Sequence, residues 1–385
     1  MDFELTPEQL AFTEMAQNFS KKELDPNARK WDEEEIFPIE TIQKAGELGL
    51  CGLYSPTSSG GLNLSRLDSS IIFENLAKGC TSTTAFITIH NMATWMICTF
   101  GNKLTLEKFG KSLTSGKILA SYCLTEPNSG SDASSLKTKA IRHENSYKIT
   151  GGKIFSSGAG ETSVLVVMAR TGEPHSSGIS AFVVDAKAKG ISFGRKEKKM
   201  GWNSQPTRTI SFDNVEVPVE CLLGKEGDGF KIAMQGLDGG RINIAACSIG
   251  AAQIAFEKAR DYMHERYQFG KPLSEFQALR FKLADMNTSI VASRQMVRLA
   301  ASRLDNNHPD KNVYCAMAKK FATESCFDVC DEALQIFGGI GYTKEYPLER
   351  YLRDTRVHRI LEGTTEIMKL IISNRVLLKE RSSIL

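Results

Sequence analysis

Apolar residues recur at helical spacing through the first third of the chain. Thr6-Pro7-Glu8-Gln9 has the pattern of a helix start, with Thr6 as the cap and Gln9 placed to complete a capping box. The same spacing recurs in 38–48, 67–77 and 82–100, and glycines at 49 and 101 are plausible stop signals. We therefore predict an all-helical N-terminal domain over residues 1–117.

The middle of the chain is richer in β-branched and aromatic residues. Segments 164–168, 179–184 and 207–212 favour strands. Segments 147–150 and 153–155 flank Gly151-Gly152, which predicts the two arms of a hairpin. We predict a β domain over residues 118–223.

Long amphipathic helices return after residue 224. Their apolar spacing covers 229–266, 273–304, 311–337 and 364–379, so we predict a C-terminal helical domain over 224–385. The resulting α, β, α order excludes an ordinary dinucleotide-binding fold, because that fold alternates strands and helices and has a glycine-rich turn after its first strand.

The composition is that of a soluble globular protein, with 41% hydrophobic and 24% charged residues among 385. The net charge of +3 is small and the basic residues are dispersed, so we expect neither nucleic-acid nor membrane binding. The apolar stretch 85–100 is interrupted by polar residues and is too short to cross a bilayer. Residues 1–8 are acidic and lead into a helix start, so we expect no leader peptide within them.

The nine cysteines are scattered along the chain. An odd number without paired spacing does not predict a disulfide framework, and it favours a reducing compartment. Cys326 and Cys330 are four residues apart on a predicted helix, but no second pair of ligands accompanies them. We expect both to be small buried hydrophobes, and we expect no metal site.

Two segments carry more specific information. The first, YCLTEPNSGSD at 122–132, crowds hydroxyls, backbone donors and glycine into one loop, although by itself it fits a capped turn equally well. The second, QIFGGIGYTKE at 335–345, is followed by Arg350 and Asp354. Its glycines are not typical of a nucleotide phosphate loop, because no Lys-Ser or Lys-Thr follows them and no strand precedes them. Together, in this order, the two segments resemble the two signatures of the acyl-CoA dehydrogenase family.

The resemblance extends over nearly the whole chain and implies an α+β fold. This fold has an N-terminal α-helical domain, a middle antiparallel β domain and a C-terminal four-helix bundle, and it usually assembles as a tetramer, a dimer of dimers. The resemblance also implies FAD held between the domains and across a subunit interface, an acyl-CoA thioester as substrate and electron-transferring flavoprotein as electron acceptor. The expected location is the mitochondrial matrix.

The resemblance assigns several sets of residues to FAD. Those at the flavin ring are Tyr122, Cys123, Leu124, Thr125, Phe155, Ser156 and Ser157, and Ser131, Thr364, Thr365 and Glu366 are further FAD contacts. Those on the adenosine and pyrophosphate side are Arg266, Phe269, Phe276, Gln277, Gln335, Gly338 and Gly339, with the arginine acting from a neighbouring subunit. Without the resemblance, the arginine would be interpreted as a solvated surface residue and the glycines as a helix end. Several relatives have Trp where this chain has Phe155, so the aromatic face is kept but an indole donor is lost.

Glu362, in the segment ILEGTTE, corresponds to the family's catalytic base. The resemblance implies that it removes the α-proton while the β-hydride passes to the flavin. Without the resemblance, it would be interpreted as a carboxylate that interacts with the dipole of the helix that follows. Relatives that act on isovaleryl or long-chain thioesters carry the base at the position of Gly240, which has no side chain here. These substrates are therefore disfavoured.

Five residues are expected at the substrate: Ser131, Asp238, Gly239, Gly240 and Arg241. The charge of Arg241 would lower the pKa of a neighbouring carboxylate and burial would raise it, so the sequence does not fix the net direction.

Segments 80–85, 201–208 and 239–245 are similar to the family members that convert isobutyryl-CoA to methacrylyl-CoA in valine breakdown. Straight short-chain or 2-methyl-branched substrates are the alternatives. An oxidase is disfavoured because oxidases usually carry an additional C-terminal domain. A non-catalytic acyl-CoA or flavin-binding scaffold is disfavoured by the retention of Glu362.

Overall fold

The computed structural model describes residues 4–378. Residues 1–3 and 379–385, which include the last residue of the predicted helix 364–379, lie outside the described residues. The N-terminal helices are α1 (Pro7–Phe19), α2 (Asp25–Glu33), α3 (Ile39–Glu47), α4 (Arg66–Ala77), α5 (Thr81–Phe100), α6 (Lys103–Thr105) and α7 (Lys111–Thr114). The predicted capping box is confirmed, since the Thr6 side chain accepts from the Gln9 backbone N–H and the Gln9 side chain accepts from the Thr6 backbone N–H.

An eight-stranded sheet follows these helices. Its strands are β1 (Ala120–Cys123), β2 (Lys139–His143), β3 (Ser146–Ser157), β4 (Val164–Arg170), β5 (Ile179–Asp185), β6 (Ile191–Phe193), β7 (Thr207–Pro218) and β8 (Leu222–Leu223). The order is β6-β7-β3-β2-β4-β5-β8, and β1 lies beside β4. Antiparallel pairing dominates, as predicted, while β1 and β2 each form a parallel pairing with β4.

The predicted hairpin at Gly151-Gly152 is wrong. β3 runs through both glycines without turning, and the reversal lies instead at Glu144-Asn145, between β2 and β3. A register shift against β7 falls between Ile149 and Gly151, where φ is +146° and a Cβ would meet Thr138 Cα at 2.7 Å. Glycine is required at this bulge and close approach, and a glycine pair between two strand-like segments does not distinguish a bulge from a turn.

The C-terminal region consists of α8 (Gly229–Glu265), a short hairpin of β9 (Tyr267–Gln268) and β10 (Lys271–Pro272), then α9 (Gln277–Asp305), α10 (Lys311–Phe337), α11 (Leu348–Arg356) and α12 (Thr365–Val376). The start of α8 joins the core of the sheet through Ile232 and Ala233, whereas its second half is buried against α9 and α10. The middle of α8 therefore lies where the N-terminal helices, the sheet and the bundle meet. Within residues 4–378, no helix is both long and apolar enough to cross a bilayer.

Candidate active site

Glu362 occupies a tight turn immediately before α12. Its φ is +53° and that of Gly363 is +91°, so two consecutive residues have left-handed backbone. Thr364 then caps α12 by accepting a hydrogen bond from the Ile367 backbone N–H at 3.3 Å. A left-handed glutamate is uncommon and costs about 1–3 kcal/mol, so the surrounding structure must hold it.

The carboxylate of Glu362 lies directly against Gly240 of α8. A Cβ at position 240 would be 2.1 Å from Oε2, so only glycine leaves room for the carboxylate. The residue as a whole keeps some exposure, but Oε2 itself is buried and has no hydrogen-bond partner among residues 4–378. The structure thus places position 240 and Glu362 in direct contact, and only Glu362 carries a carboxylate.

Burial raises the pKa of Glu362 from its ordinary 4.5 to about 7. Lys319 and then Arg241 oppose this shift because their positive charges favour the ionised carboxylate. The sequence left the net direction open, and burial decides it. A carboxyl group with a pKa near neutrality and an unpartnered oxygen is suited to accepting a proton from carbon.

Arg241 does not hold Glu362 through a hydrogen bond. Its Nη1 donates to Asp238 Oδ1 at 2.7 Å, one turn earlier on α8, and both side chains are buried. Burial raises the pKa of Asp238, and Arg241 opposes the rise. Of the predicted substrate residues, Gly240 and Arg241 therefore lie close to Glu362, the arginine acting on it through its charge, and Asp238 is paired with that arginine.

Three residues of this region were not singled out from the sequence: Tyr54, Arg66 and Lys319. The Arg66 guanidinium lies 3.5 Å from the centroid of the Tyr54 ring, and a Cβ on Gly239 would be 2.4 Å from its Nη1. Lys319 is fully buried, and its Nζ donates to the Gly363 backbone O at 2.8 Å. The sequence does contain one indication that Lys319 is buried. It lies at helical spacing on the same face of α10 as Cys315, Ala322 and Cys326, which are all buried.

The loop after β1 is anchored to β3. Ile154 N–H donates to Thr125 O at 2.8 Å, and Lys153 Nζ donates to Leu124 O at 2.9 Å. Lys153 also forms a buried ion pair with Glu126 at 2.7 Å, and the same carboxylate accepts the backbone N–H groups of residues 137 and 138. Segments 122–125 and 155–157, both predicted to contact the flavin ring, are therefore held side by side.

The other residues predicted to contact FAD differ in burial. Tyr122 OH, Ser156 Oγ and Thr365 Oγ1 are buried and have no hydrogen-bond partner within the described part of the chain. Burial raises the pKa of Tyr122, and the nearby Glu362 adds to the rise. Cys123 and Leu124 are buried, Thr125, Ser157 and Thr364 are partly buried, and Ser131, Glu366 and Phe155 are exposed, the last by 65%.

The predicted adenosine and pyrophosphate residues lie elsewhere. Arg266, Phe269, Gln277, Gln335, Gly338 and Gly339 are exposed, and Phe276 is partly buried with its ring centroid 6.2 Å from that of Phe269. Tyr262 stacks on Phe337 at 4.1 Å, which places the β9–β10 hairpin and the glycine turn at the same end of the α8–α10 pair. From Gly240 to Arg266 the rise along α8 is about 39 Å. A single chain does not bring this group close to Glu362.

The cysteines do not contribute a metal or disulfide site. All nine are buried and free. Across residues 4–378, no cluster of three or more His, Cys, Asp or Glu side chains could hold a metal ion.

Comparisons with known proteins agree along the chain. Models of the acyl-CoA dehydrogenase N-terminal, middle and C-terminal domains match residues 6–117, 121–215 and 227–377. The mitochondrial isobutyryl-CoA dehydrogenases of Bos taurus and Dictyostelium discoideum are 52% and 53% identical to this chain, over 97% of it and 90% of their own length. The structure of butyryl-CoA dehydrogenase from Megasphaera elsdenii matches with a TM-score of 0.95 and 38% identity, covering 98% of this chain and 100% of that one. The chain therefore belongs to the acyl-CoA dehydrogenase family, whose members are flavoproteins.

Proposed function

We propose that this protein catalyses the FAD-dependent α,β-dehydrogenation of a short branched acyl-CoA, with isobutyryl-CoA converted to methacrylyl-CoA in valine breakdown. The observation that carries the proposal is the buried, unpartnered Glu362 carboxylate against Gly240, with its pKa raised to about 7. A proton acceptor of this kind suits removal of a weakly acidic α-proton.

The residues around the loop after β1 fit a flavin. Ser156 Oγ and Thr365 Oγ1 are buried hydroxyls that have no hydrogen-bond partner among the described residues. A heteroaromatic ring with nitrogen and oxygen acceptors would provide both hydroxyls with a partner. We propose that these two residues, Ser131, Phe155, Ser157, Thr364, Glu366 and segment 122–125 hold the ring side of FAD. When bound, FAD would accept the β-hydride.

The adenosine side of FAD is proposed to lie against Arg266, Phe269, Phe276, Gln277, Gln335, Gly338 and Gly339. A Cβ on either glycine would meet no atom within 4 Å, which leaves open space for a ligand at that turn. Since these residues lie about 39 Å along α8 from the base, we propose that they serve the site of a neighbouring subunit in a tetramer. A planar, permanently charged guanidinium suits a pyrophosphate.

In the reaction, the chain's own residues would position the substrate, polarise its thioester carbonyl and accept its α-proton. Glu362 would take the α-proton on Oε2, which accepts no hydrogen bond from any described residue. Its backbone N–H would donate to the thioester carbonyl and stabilise the enolate-like transition state. Asp238, Gly239 and Arg241 would line the substrate beside it, and Ser131 would contact the thioester from the loop.

The proposed substrate follows from sequence similarity. The two relatives at 52% and 53% identity are isobutyryl-CoA dehydrogenases, and their identity to this chain exceeds the 38% of the butyryl-CoA enzyme. Gly240 removes the base position used by isovaleryl and long-chain relatives. We further propose electron-transferring flavoprotein as the electron acceptor and the mitochondrial matrix as the location, since both relatives are named as mitochondrial.

Anaerobic titration of the purified holoprotein tests the proposal. Isobutyryl-CoA, 2-methylbutyryl-CoA, isovaleryl-CoA and butyryl-CoA would be added separately while the long-wavelength flavin absorbance is followed. Fastest bleaching by isobutyryl-CoA is expected. Preferential bleaching by another thioester would keep the reaction and change the substrate, whereas bound flavin that none of the four bleaches would contradict the proposed activity and favour a scaffold role.

A further inference from the structure

Lys319 has an unusual environment for a lysine. Its side chain is fully buried in α10, and burying an ammonium is costly unless strong acceptors replace its water. Its hydrogen bond goes to the backbone O of Gly363 at 2.8 Å, across to the turn before α12. The ammonium is thus anchored on the residue that follows Glu362.

That hydrogen bond stabilises a strained piece of backbone. Glu362 has φ +53° and Gly363 has φ +91°, and the carbonyl that Lys319 engages lies at the end of this left-handed pair. A hydrogen bond from a charged donor is stronger than one between neutral groups, so it can offset the strain of a left-handed glutamate. The bond from Lys319 therefore helps to hold the turn that places the Glu362 carboxylate against Gly240.

The charge of Lys319 acts on the same carboxylate without bonding to it. Lys319 is the largest opposing influence on the raised pKa of Glu362, while Oε2 keeps no hydrogen-bond partner. The groups that face these two residues are Arg241 and Cys247 from α8, Tyr122 from β1, Tyr54 from the N-terminal region, His358 before the turn, Glu324 from α10 and Glu366 from α12. The ammonium bonds to a carbonyl, and the oxygen that would accept the proton stays free.

We propose that Lys319 is a positioning residue for Glu362, which fixes the left-handed turn through Gly363 and favours the ionised carboxylate through its charge. This inference rests on the proposed role of Glu362 as the base. Its two contributions can be separated, because one requires a hydrogen-bond donor and the other a charge.

Two substitutions at this position separate the contributions. Lys319→Gln keeps an N–H donor and removes the charge, whereas Lys319→Met removes both. Lys320→Gln is the matched control, since Lys320 is the next residue of α10 and pairs with Glu324 at 2.8 Å near the surface. The rate of flavin reduction by isobutyryl-CoA would be measured anaerobically by stopped flow from pH 5 to 9.

The acid limb of the rate profile reports the protonation of Glu362. In both Lys319 variants it is expected to move upward by about one pH unit or more, because the lost charge had favoured the ionised form. At pH values above the limb, Lys319→Gln should keep most of the rate, and Lys319→Met should lose roughly 10²-fold because its turn is released. The control should overlay the parent profile.

A second readout follows the carboxyl group without turnover. Infrared difference spectra across pH would be recorded on the holoprotein, with the Glu362 band identified by its loss in Glu362→Gln. Its midpoint should rise in Lys319→Gln, and if Lys319→Met fails to fold, this shift alone decides the question. An unchanged midpoint and rate profile in Lys319→Gln, alongside an inactive Glu362→Gln, would overturn the role of Lys319 and leave the proposed function intact. A fully active Glu362→Gln would instead contradict the proposed function.

Discussion

Gly240 and Glu362 illustrate how one missing side chain determines where a carboxylate can lie. The glycine leaves space for the carboxylate, and the left-handed turn directs Glu362 into that space. Burial then raises the pKa of the Glu362 carboxyl group to about 7. Each feature costs stability: a glycine inside a helix about 1 kcal/mol and a left-handed glutamate about 1–3 kcal/mol. Their coincidence at one point argues for a function that requires them.

Replacing Glu362 by Gln tests the base directly. The amide keeps the shape but cannot accept the α-proton, so turnover with isobutyryl-CoA should fall by about 10²–10⁴-fold while FAD stays bound. Steady-state assay with an artificial electron acceptor and the flavin absorbance of the purified variant would measure both. Near-normal turnover would remove Glu362 from the mechanism.

The same variant should be more stable than the parent at high pH. Between about pH 4.5 and about 7 the folded protein keeps a proton on Glu362 that the unfolded chain releases, so the free energy of unfolding falls as pH rises through this window. Glu362→Gln removes this penalty and should gain up to about 3 kcal/mol above pH 7 and little below pH 5. Denaturation at pH 5 and pH 8, with the exposed Glu47→Gln as control, would measure it. Equal gains at both pH values would contradict the assigned cause.

A methyl group at position 240 should displace the base. The Gly240→Ala Cβ would be 2.1 Å from Oε2, so the carboxylate must move by more than an ångström, which is expected to lower the rate of flavin reduction by about 10²-fold. Gly172→Ala is a suitable control, since its nearest contact would be 3.4 Å. Unchanged rates in Gly240→Ala would show that the contact has no bearing on the reaction.

At the level of secondary-structure elements, β1, the loop after it and the bulged half of β3 form one unit. Its centre is the Lys153–Glu126 ion pair, in which the side chains are 0% and 7% exposed. The backbone of the loop forms few hydrogen bonds to neighbouring strands. The Lys153–Glu126 ion pair and the hydrogen bond from Lys153 to Leu124 O anchor the loop instead. The positions proposed for the flavin ring depend on this anchor.

Lys153→Met should therefore destabilise the protein strongly. It leaves the buried Glu126 carboxylate without its cation, which typically costs about 3–5 kcal/mol. The double variant Lys153→Met, Glu126→Gln should recover part of the loss, because no charge remains buried. Chemical denaturation and bound-flavin content would measure both effects, with the exposed Lys137→Met as control. A cost below about 1 kcal/mol for the single variant would contradict this account.

For the molecule as a whole, the β9–β10 hairpin is the clearest sign of assembly. Phe269 at its tip is 92% exposed and Tyr267 is 60% exposed, although large aromatic residues are usually buried or used in interfaces. The proposed adenosine residues lie beside them, far along α8 from the base. A tetramer would bury the hairpin and complete each site from a second subunit.

Phe269→Glu should weaken the proposed assembly and lower FAD affinity together. A charge at a buried contact is costly, so sedimentation velocity at micromolar protein should show smaller species and the purified variant should contain less flavin. Leu104→Glu, at a 59% exposed position of the N-terminal region, is the control and should leave both unchanged. Retention of the parent's size and flavin content by Phe269→Glu would place the hairpin outside the interface.

Local patterns were sufficient for much of the fold. Helical spacing predicted α8, α10 and the capped start of α1 within a residue or two, because amphipathic periodicity and end signals are properties of the chain itself. The two signature segments identified the family, and the family matches and the structure confirm the α+β fold. The Gly151-Gly152 hairpin failed because turns and bulges draw on the same residues, and the partner strand decides between them.

Local sequence was enough to identify the groups that could do chemistry: a glutamate before Gly-Thr, a glycine at position 240 and hydroxyl-rich loops. Three facts required the folded chain: Glu362 lies against Gly240, burial outweighs two cations in setting the pKa of Glu362, and Lys319 donates to the turn at Gly363. These facts depend on contacts between distant parts of the chain. Glu362 and Gly240 are more than a hundred residues apart, and Gly363 and Lys319 are about forty apart. Desolvation and Coulomb interaction depend on distance in space, which local sequence does not encode.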